Sequence, residues 1–189
     1  MGFLGAFRRG ADQREIAGHG LSLRFPVMED HDQWAKLRHG SSSFLKPWEP
    51  TWLDDELTAA SFRHRIRRYR ELTGEDLCYP YFIFRADELL GAVTLSNVRR
   101  GVAQTATLGY WIGEPHARQG HMGKALTLLL PHAHSVLNLH RVEAACLPRN
   151  TASIRLLERA GFEREGQARA YLKIAGRWED HLLFGKVTA

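Results

Sequence analysis

Apolar residues alternate with polar or small residues along several short stretches of the chain, which is the pattern of half-buried β-strands. The first stretch runs from Leu21 to Phe25, and Pro26 ends it. Further strands are predicted over residues 78–84, 89–96, 104–112, 141–147, 169–174 and 178–187. The small and polar residues between the last two predict a closing hairpin around residues 175–177.

Other segments repeat apolar residues every three or four positions, the spacing of one face of a helix. A short helix carrying Trp34 is predicted after Asp30 or Asp32. A second helix is predicted to begin at Thr51 and the acidic residues that follow it, and to end at Leu72. Two more are predicted over residues 121–137 and 151–160.

The order of these elements predicts the fold class. A strand–helix–strand unit over residues 106–147 requires a parallel strand pair, whereas the hairpins require antiparallel pairs. We therefore predict an α/β fold with a mixed, mostly antiparallel sheet flanked by helices. A single domain is expected over residues 18–189, and residues 1–17 are expected to form a flexible lead-in.

Charge and cysteine content narrow the classes of partner. The net charge of +5 and a pI near 9.5 favour an acidic partner, such as nucleic acid, a ribosomal surface or a phosphorylated ligand. Cys78 and Cys146 are far apart and form no metal-ligand pattern, so we expect reduced thiols in a cytoplasmic protein without a metal. No apolar run reaches the roughly 20 residues of a membrane span, so we expect no membrane partner.

The stretch LGYWIGEPHARQGHM, residues 108–122, combines a predicted strand, a turn and a helix start. From Arg118 to Gly123 it offers two glycines and no acidic side chain. The first N–H groups of a helix have no partner within the helix, and the helix dipole adds partial positive charge there. The stretch therefore predicts a site for a phosphate group.

Arginine is concentrated on the helix predicted to end at Leu72. The five residues are Arg63, Arg65, Arg67, Arg68 and Arg70. A solvated polar face is one interpretation, because most charge runs are only that. A docking surface for rRNA or for a ribosome assembly is the other. The sequence does not choose between them, nor between a monomer and a homodimer.

Several separated segments resemble the GCN5-related N-acetyltransferases. They are HARQGHMGKAL, LHRVEAACLPRNTASIRLLERAGFEREG and YLKIAGRWEDHLLF. The stretch LKPWEPTW at residues 45–52 also resembles the RimJ/RimL-type branch, which acetylates the N-terminal amine of ribosomal proteins. The resemblance covers about residues 20–187. It implies a transferase that binds acetyl-CoA between two strands that splay apart, here 104–112 and 141–147.

The same resemblance implies roles for individual positions. The backbone of Tyr110, Trp111 and Ile112 is expected to pair with the pantetheine arm of acetyl-CoA. Asn150 is expected to bind the pantetheine region, and Ser153 to lie near the thiol. The N–H groups of one loop are expected to bind the pyrophosphate: Arg118, Gln119, Gly120, His121, Met122 and Gly123.

Two positions depart from the pattern of the family. Ala117 stands where the phosphate loop usually has Arg or Gln, and Arg118 is expected to supply the missing positive charge. Leu157 stands where many relatives have a tyrosine that acts as the general acid. Ser153 is therefore the expected proton donor to the leaving thiolate.

Acetylation of an amine also requires a group that accepts the amine proton. Glu49 is the preferred candidate, because it lies in the loop expected to face the acceptor, although a solvated loop carboxylate is the alternative interpretation. Glu114 and Glu143 are weaker candidates, with a loop contact and an arginine pair as their expected roles. Asp180 and His181 are adjacent on a strand, so they point to opposite faces and are not expected to act on one substrate.

Ordinary structural roles compete with several of these assignments. Helix capping alone explains Asn150 and Ser153 if the helix begins after Asn150. Cys146 is expected to be a small buried residue rather than a group near the cofactor thiol. Tyr171 and Trp178 are predicted to face each other across the closing hairpin, where they pack together or line the acceptor groove.

The preferred function is direct acetyl transfer, in a ternary complex, from acetyl-CoA to the N-terminal α-amine of a ribosomal protein. One alternative is the same fold acting on a small amine, such as an antibiotic or a polyamine, although the basic composition disfavours a polyamine. The other is a non-catalytic binding module associated with the ribosome or RNA. The retention of Gly120 and Gly123 argues against that module.

Overall fold

The computed structural model describes residues 15–187 as an eight-stranded sheet with helices on both faces. The strands are β1 (Ile16–Gly18), β2 (Leu21–Arg24), β3 (Tyr79–Arg85), β4 (Glu88–Arg99), β5 (Thr105–Ile112), β6 (Arg141–Cys146), β7 (Glu163–Ile174) and β8 (Arg177–Val187). The helices are α1 (His31–Gly40), α2 (Ser42–Leu45), α3 (Ala59–Gly74), α4 (His121–Ser135) and α5 (Thr151–Arg159). Single 3₁₀ turns lie at Met28–Asp30, Lys46–Trp48 and Glu114–His116.

The spatial order of the strands is β1-β2-β3-β4-β5-β6-β8-β7, and only β5 and β6 pair in parallel. The other neighbours pair antiparallel, so the predicted mixed, mostly antiparallel sheet is confirmed. The parallel pair arises because α4 carries the chain back across the sheet between β5 and β6.

Alternation along the strands divides the apolar residues between two layers. Leu126 and Leu129 of α4 and Leu157 of α5 are fully buried against one face of the sheet. Trp34 of α1 and Phe62 of α3 are buried against the other face. The sheet is therefore covered on both faces, and a different apolar cluster lies on each face.

β5 and β6 pair over only three residues, from Thr105 with Arg141 to Thr107 with Glu143. Beyond this point β5 continues to Ile112 on β4 alone, and β6 continues on β8 alone. A gap therefore opens between the two central strands, and the predicted splay is confirmed.

The predicted start of the second helix is wrong. Residues 54–57 form a turn, and α3 begins at Ala59. Thr58 has extended backbone angles, and its side chain accepts a hydrogen bond from the backbone N–H of Ser61 at 3.2 Å. This cap satisfies the first turn and fixes the start of α3, whereas Thr51 lies seven residues earlier along the chain.

The sheet also begins earlier than expected. Residues 1–14 of the predicted lead-in lie outside the described residues, but Ile16–Gly18 forms β1 and pairs antiparallel with β2. The positive φ angles of His19 and Gly20 reverse the chain between these two strands. The folded domain therefore includes the end of that lead-in.

The closing hairpin is longer than predicted, because β7 begins at Glu163. Ala175 and Gly176 form its tip with φ angles of 46° and 83°, which a tight hairpin turn requires. The predicted pairing of Tyr171 with Trp178 is wrong, since the turn pairs Ile174 with Arg177 and therefore places Trp178 opposite Lys173. Tyr171 instead contacts His181 edge to face, with the ring centroids 5.9 Å apart.

Within residues 15–187, no helix has both the length and the apolar character that crossing a bilayer requires.

Candidate functional site

Three polar side chains meet at the gap between β5 and β6. Tyr110 lies on β5, Cys146 ends β6, and Ser153 lies in the first turn of α5. The hydroxyl oxygens of Tyr110 and Ser153 are 2.5 Å apart. A ligand that enters the gap therefore meets two hydroxyl groups and a thiol.

Burial sets the protonation of these groups. Burial raises the pKa of Tyr110 to about 12, and the hydrogen bond with Ser153 only partly opposes this shift. Burial also raises the pKa of the Cys146 thiol, again with partial opposition from Ser153. Both groups are protonated at neutral pH, so Tyr110 is able to donate a proton and Cys146 is a poor nucleophile.

Asn150 caps α5. Its Oδ1 accepts a hydrogen bond from the backbone N–H of Ser153 at 3.1 Å, so the capping role is present. The cap leaves the side-chain hydroxyl of Ser153 to the gap, where it meets Tyr110. Capping and a role in the gap are therefore compatible at Ser153.

The loop before α4 turns the chain so that the helix begins beside the gap. Arg118 and Gly120 have φ angles of 60° and 80°, and both are exposed. Gly120 is the N-cap residue, and a Cβ at this position would meet open space. The side chain of Gln119 turns back to donate to the carbonyl of Pro115 at 2.7 Å. The first N–H groups of α4 have no carbonyl one turn earlier to bind, so they are donors for an anion.

His121 and Met122 begin α4 and are buried. Burial is the main cause that lowers the pKa of His121, and the positive charges of Arg85 and Lys124 lower it further. The imidazole is therefore neutral at pH 7. Its Nδ1 is buried and has no hydrogen-bond partner among residues 15–187. The positive character of this loop therefore comes from its N–H groups and not from a charged His121.

Glu49 is held by a buried arginine. Arg38 of α1 donates from Nη1 to Glu49 Oε1 at 3.2 Å and from Nη2 to Oε2 at 2.6 Å. Trp52 Nε1 donates to Oε2 at 2.7 Å. The guanidinium also lies over the rings of Trp52 and Trp111, at 4.4 and 5.0 Å from their centroids. Both carboxylate oxygens of Glu49 are therefore engaged, and the loop is fixed against β5.

The same loop contacts the closing hairpin. The backbone N–H of Ala175 at the hairpin tip donates to the carbonyl of Glu49 at 2.9 Å. Arg149, just before α5, pairs with Glu179 of β8 at 3.2 Å and lies over Trp48 at 5.9 Å. These contacts place the loop, the hairpin and the start of α5 around one mouth of the gap.

The remaining acidic candidates have other contacts. Glu143 binds Arg99 and Arg141, each at 3.0 Å. Glu114 is exposed beyond the end of β5, and its backbone N–H donates to Ser41 Oγ at 2.9 Å. Asp180 accepts from the N–H of Ala170 at 2.8 Å, and this hydrogen bond is the main cause that lowers its pKa.

The structure brings together residues that the sequence did not link. The sequence did not predict three features of the site. They are the contact of the Tyr110 side chain with Ser153, the clamp between Arg38 and Glu49, and the burial of His181. The spacing of Trp34 and Arg38, one helical turn apart, predicts their contact but not the pairing of Arg38 with Glu49. The others depend on contacts between distant parts of the chain.

Two further features bear on the site. Among residues 15–187, no group of three or more His, Cys, Asp or Glu side chains could hold a metal ion. An open groove of about 820 Å³ lies between α1 and the 3₁₀ turn at Glu114–His116. None of Tyr110, Cys146 and Ser153 lines this groove, so it is separate from the gap.

A family model for the acetyltransferase (GNAT) domain matches residues 21–163. The protein named "Probable N-acetyltransferase YjcK" from Bacillus subtilis is 38% identical over 168 residues, which cover 88% of this chain and 93% of that protein. The [ribosomal protein uS5]-alanine N-acetyltransferase of Escherichia coli is 34% identical over 170 residues, 86% of each chain.

Solved structures agree with these relatives. Mycobacterium smegmatis RimJ in complex with CoA-disulfide has a TM-score of 0.86 at 32% identity, and the match covers 93% of this chain and 85% of that one. The ribosomal-protein-S5-alanine acetyltransferase from Vibrio fischeri also has a TM-score of 0.86, at 28% identity, over 92% of this chain and 96% of that one. The splayed strands, the loop before α4 and these relatives together show that the chain belongs to the GNAT family and is an N-acetyltransferase of the RimJ/RimL type.

Proposed function

We propose that this enzyme transfers an acetyl group from acetyl-CoA to the N-terminal α-amine of a ribosomal protein. The observation that carries the proposal is the gap between β5 and β6, with the first turn of α4 beside it and the loop that holds Glu49 at its mouth. Relatives named as ribosomal-protein acetyltransferases, and a RimJ structure that contains CoA-disulfide, support both substrates.

The cofactor is assigned to the gap. From Leu108 to Ile112, β5 has no partner on its β6 side, so the backbone groups that residues 110–112 direct away from β4 are open to the pantetheine arm. The pyrophosphate is assigned to the loop and first turn of α4: Arg118, Gln119, Gly120, His121, Met122 and Gly123. Asn150 and Ser153 would then lie beside the thioester.

The chemistry follows from these positions. The amine nitrogen attacks the thioester carbonyl, a backbone N–H at or beside Ile112 stabilises the oxyanion, and the carbon–sulfur bond breaks. The leaving thiolate takes a proton from Ser153, which the protonated hydroxyl of Tyr110 can resupply across 2.5 Å. Alignment of the amine with the thioester supplies a large part of the acceleration.

Glu49 stays a prediction as the group that accepts the amine proton. Its contacts with Arg38 and Trp52 support a second role, in which its carboxylate fixes the loop that meets the acceptor. Trp111 on β5 joins this cluster through the guanidinium, so the loop is connected to the strand that lines the cofactor.

The partner surface is proposed from charge. Arg63 and Arg70 are exposed on α3 and lie on one side of it, two helical turns apart. Arg65, in contrast, pairs with Glu56 at 2.5 Å, so its charge is already engaged within the domain. We assign the exposed arginines to contact with the ribosome or rRNA. The oligomeric state, a monomer or a homodimer, stays a prediction, as does a cytoplasmic location.

Intact-mass measurement tests the function directly. The enzyme is incubated with acetyl-CoA and with synthetic peptides that carry ribosomal-protein N-termini beginning with Ala or Ser. We expect a mass gain of one acetyl group, and no gain for the same peptides with a blocked N-terminus and free lysines. Acetylation of a polyamine or an aminoglycoside, with every peptide unmodified, would instead favour the small-molecule alternative.

Thermal unfolding tests the cofactor separately. Acetyl-CoA should raise the midpoint of unfolding, because a ligand that binds only the native state stabilises it. RNA added without acetyl-CoA should not raise the midpoint of unfolding to the same extent. A protein stabilised by RNA but not by acetyl-CoA would contradict the enzymatic proposal.

A further inference from the structure

The acidic groups around the gap are held by other partners or lie beyond it. Glu49 and Glu179 bind Arg38 and Arg149, while Asp180 accepts from the N–H of Ala170. Glu143 is held by two arginines, and Glu114 is exposed beyond the end of β5. Both oxygens of Glu49 already accept hydrogen bonds, from Arg38 and Trp52. A base without such partners is therefore a competing candidate to accept the amine proton.

His181 is a buried base that no step of the proposed chemistry uses. Its side chain is 3% exposed and lies on β8, immediately before Leu182, which pairs with Cys146 at the end of β6. It is therefore one strand away from the gap, at the level of the Tyr110, Cys146 and Ser153 cluster.

His181 lies on the face of the sheet that carries Trp111 and the loop with Glu49, which we assign to the acceptor. Leu182 packs in the core beneath α4 and α5, so the preceding residue points to the opposite face. Trp111 packs on that opposite face with the core beneath α1 and α3, next to the clamp that holds Glu49. An amine that approaches from the side of Glu49 thus enters the face that carries His181.

One hydrogen bond orients the imidazole. Nδ1 of His181 lies 2.9 Å from the carbonyl oxygen of Glu179, and since a carbonyl only accepts, Nδ1 carries the proton. In the neutral ring Nε2 then has the free lone pair. Nε2 makes no hydrogen bond to residues 15–187 and is not among their buried polar atoms that lack a partner. Tyr171 packs edge to face on the ring and limits its rotation.

The charged groups near this imidazole are few and largely paired. Asp180 precedes it on β8, and Arg169 lies on β7 beside Asp180. Glu179 is bound to Arg149. Across the mouth of the gap, Glu49 is bound to Arg38.

We propose that Nε2 of His181 accepts, directly or through one water molecule, the proton that the acceptor ammonium must lose before attack. The freed amine forms the new carbon–nitrogen bond, and the carbon–sulfur bond of the thioester breaks. The thiolate receives one proton from the hydroxyl pair of Ser153 and Tyr110. The nitrogen that has formed the new bond loses a second proton, and this proton replaces the one that the hydroxyl pair gave up. His181 returns its proton to solvent. This inference rests on the proposed function, since it needs a protonated amine as the acceptor.

The test compares the pH dependence of kcat in matched variants. His181→Gln removes the base, and His181→Asn removes it while an amide remains near the position of Nδ1 to donate to Glu179. Glu49→Gln tests the competing base, and His134→Gln is the control, because His134 is an exposed histidine on α4, away from the gap. Thermal stabilisation by acetyl-CoA checks that each variant keeps its fold and its cofactor site.

We expect both His181 variants to lose about 100-fold in kcat at neutral pH. The loss should shrink toward alkaline pH, because the α-amine loses its own proton above about pH 8. The KM for acetyl-CoA should stay unchanged. A loss that is the same at every pH, an unchanged rate, or this pH signature in Glu49→Gln alone would overturn the proposal. A wild-type enzyme that acetylates no peptide would overturn both proposals, whereas active His181 variants overturn only this one.

Discussion

The hydroxyl groups of Tyr110 and Ser153 lie 2.5 Å apart and join β5 to α5 across the gap between β5 and β6. This contact places a phenol in the gap, although Leu157 occupies the position on α5 for which the family resemblance implies a tyrosine. Ser153 and Leu157 are one helical turn apart. The phenol in the gap therefore comes from β5, whereas Leu157 of α5 is buried in the core.

Removal of either hydroxyl should slow release of the thiolate. We expect Ser153→Ala and Tyr110→Phe each to lower kcat by about 10- to 100-fold, because one step of proton transfer is weakened. The effect is measured by steady-state acetylation of a peptide, with acetyl-CoA binding as a check on the cofactor site. Ser153→Thr keeps the hydroxyl and is the matched control. Wild-type turnover in a folded Ser153→Ala enzyme would remove Ser153 from the chemistry.

Asn150 should contribute to both stability and turnover. Its Oδ1 caps α5, so Asn150→Ala is expected to lower the free energy of unfolding by about 1 kcal/mol. Asn150→Asp keeps a capping oxygen but loses the amide N–H group. If Asn150 binds the pantetheine region, both variants lose activity while only the alanine variant loses the cap. Urea unfolding and peptide acetylation measure the two effects separately.

Gly120 should be the most sensitive position of the cofactor loop. We expect Gly120→Glu to abolish binding of acetyl-CoA, because it places a negative charge at the N-terminus of α4 and strains a residue whose φ is 80°. Gly120→Asn is the control, since asparagine tolerates positive φ and adds no charge. Calorimetric titration with acetyl-CoA distinguishes them. Wild-type affinity in the glutamate variant would place the cofactor elsewhere.

Local patterns were enough to predict the elements that form the gap. Alternation over 104–112, the glycines near Gly120 and the apolar spacing after it placed β5, the loop and α4 within one or two residues. The order of the elements then implied the parallel pair of β5 and β6. The resemblance, and not the periodicity, supplied the expectation that this pair splays.

Contacts between distant residues were not predictable in this way. Tyr110 and Ser153 are 43 positions apart, and their contact depends on the angle between β5 and β6. The start of α3 was misplaced because Thr51 and Thr58 offer similar capping side chains, and the helix is capped by Thr58. The pairing of Trp178 was missed because the turn at Ala175 and Gly176 sets the register of the hairpin, and alternation alone does not reveal that register.

The clamp between Arg38 and Glu49 should stabilise the domain and its acceptor loop together. Arg38→Met leaves a partly buried carboxylate without its partner, and we expect a loss of about 2–3 kcal/mol in the free energy of unfolding. Adding Glu49→Gln should cost less than the sum of the two single changes, because the residues interact. The KM for the peptide should rise in both. Strict additivity in urea unfolding would contradict the coupling.

Two exposed arginines on α3 should contribute to binding of ribosomal RNA. Arg63 and Arg70 are about 10 Å apart along the helix axis, and we expect Arg63→Gln with Arg70→Gln to weaken binding to ribosomal RNA while acetylation of a free peptide is unchanged. Each lost phosphate contact lowers the slope of log affinity against log salt, so the slope should fall by about 1.5 in magnitude. Lys36→Gln with Arg159→Gln removes two exposed charges elsewhere and serves as the control. Equal losses in the two double variants would indicate that net charge, and not this face of α3, attracts the RNA.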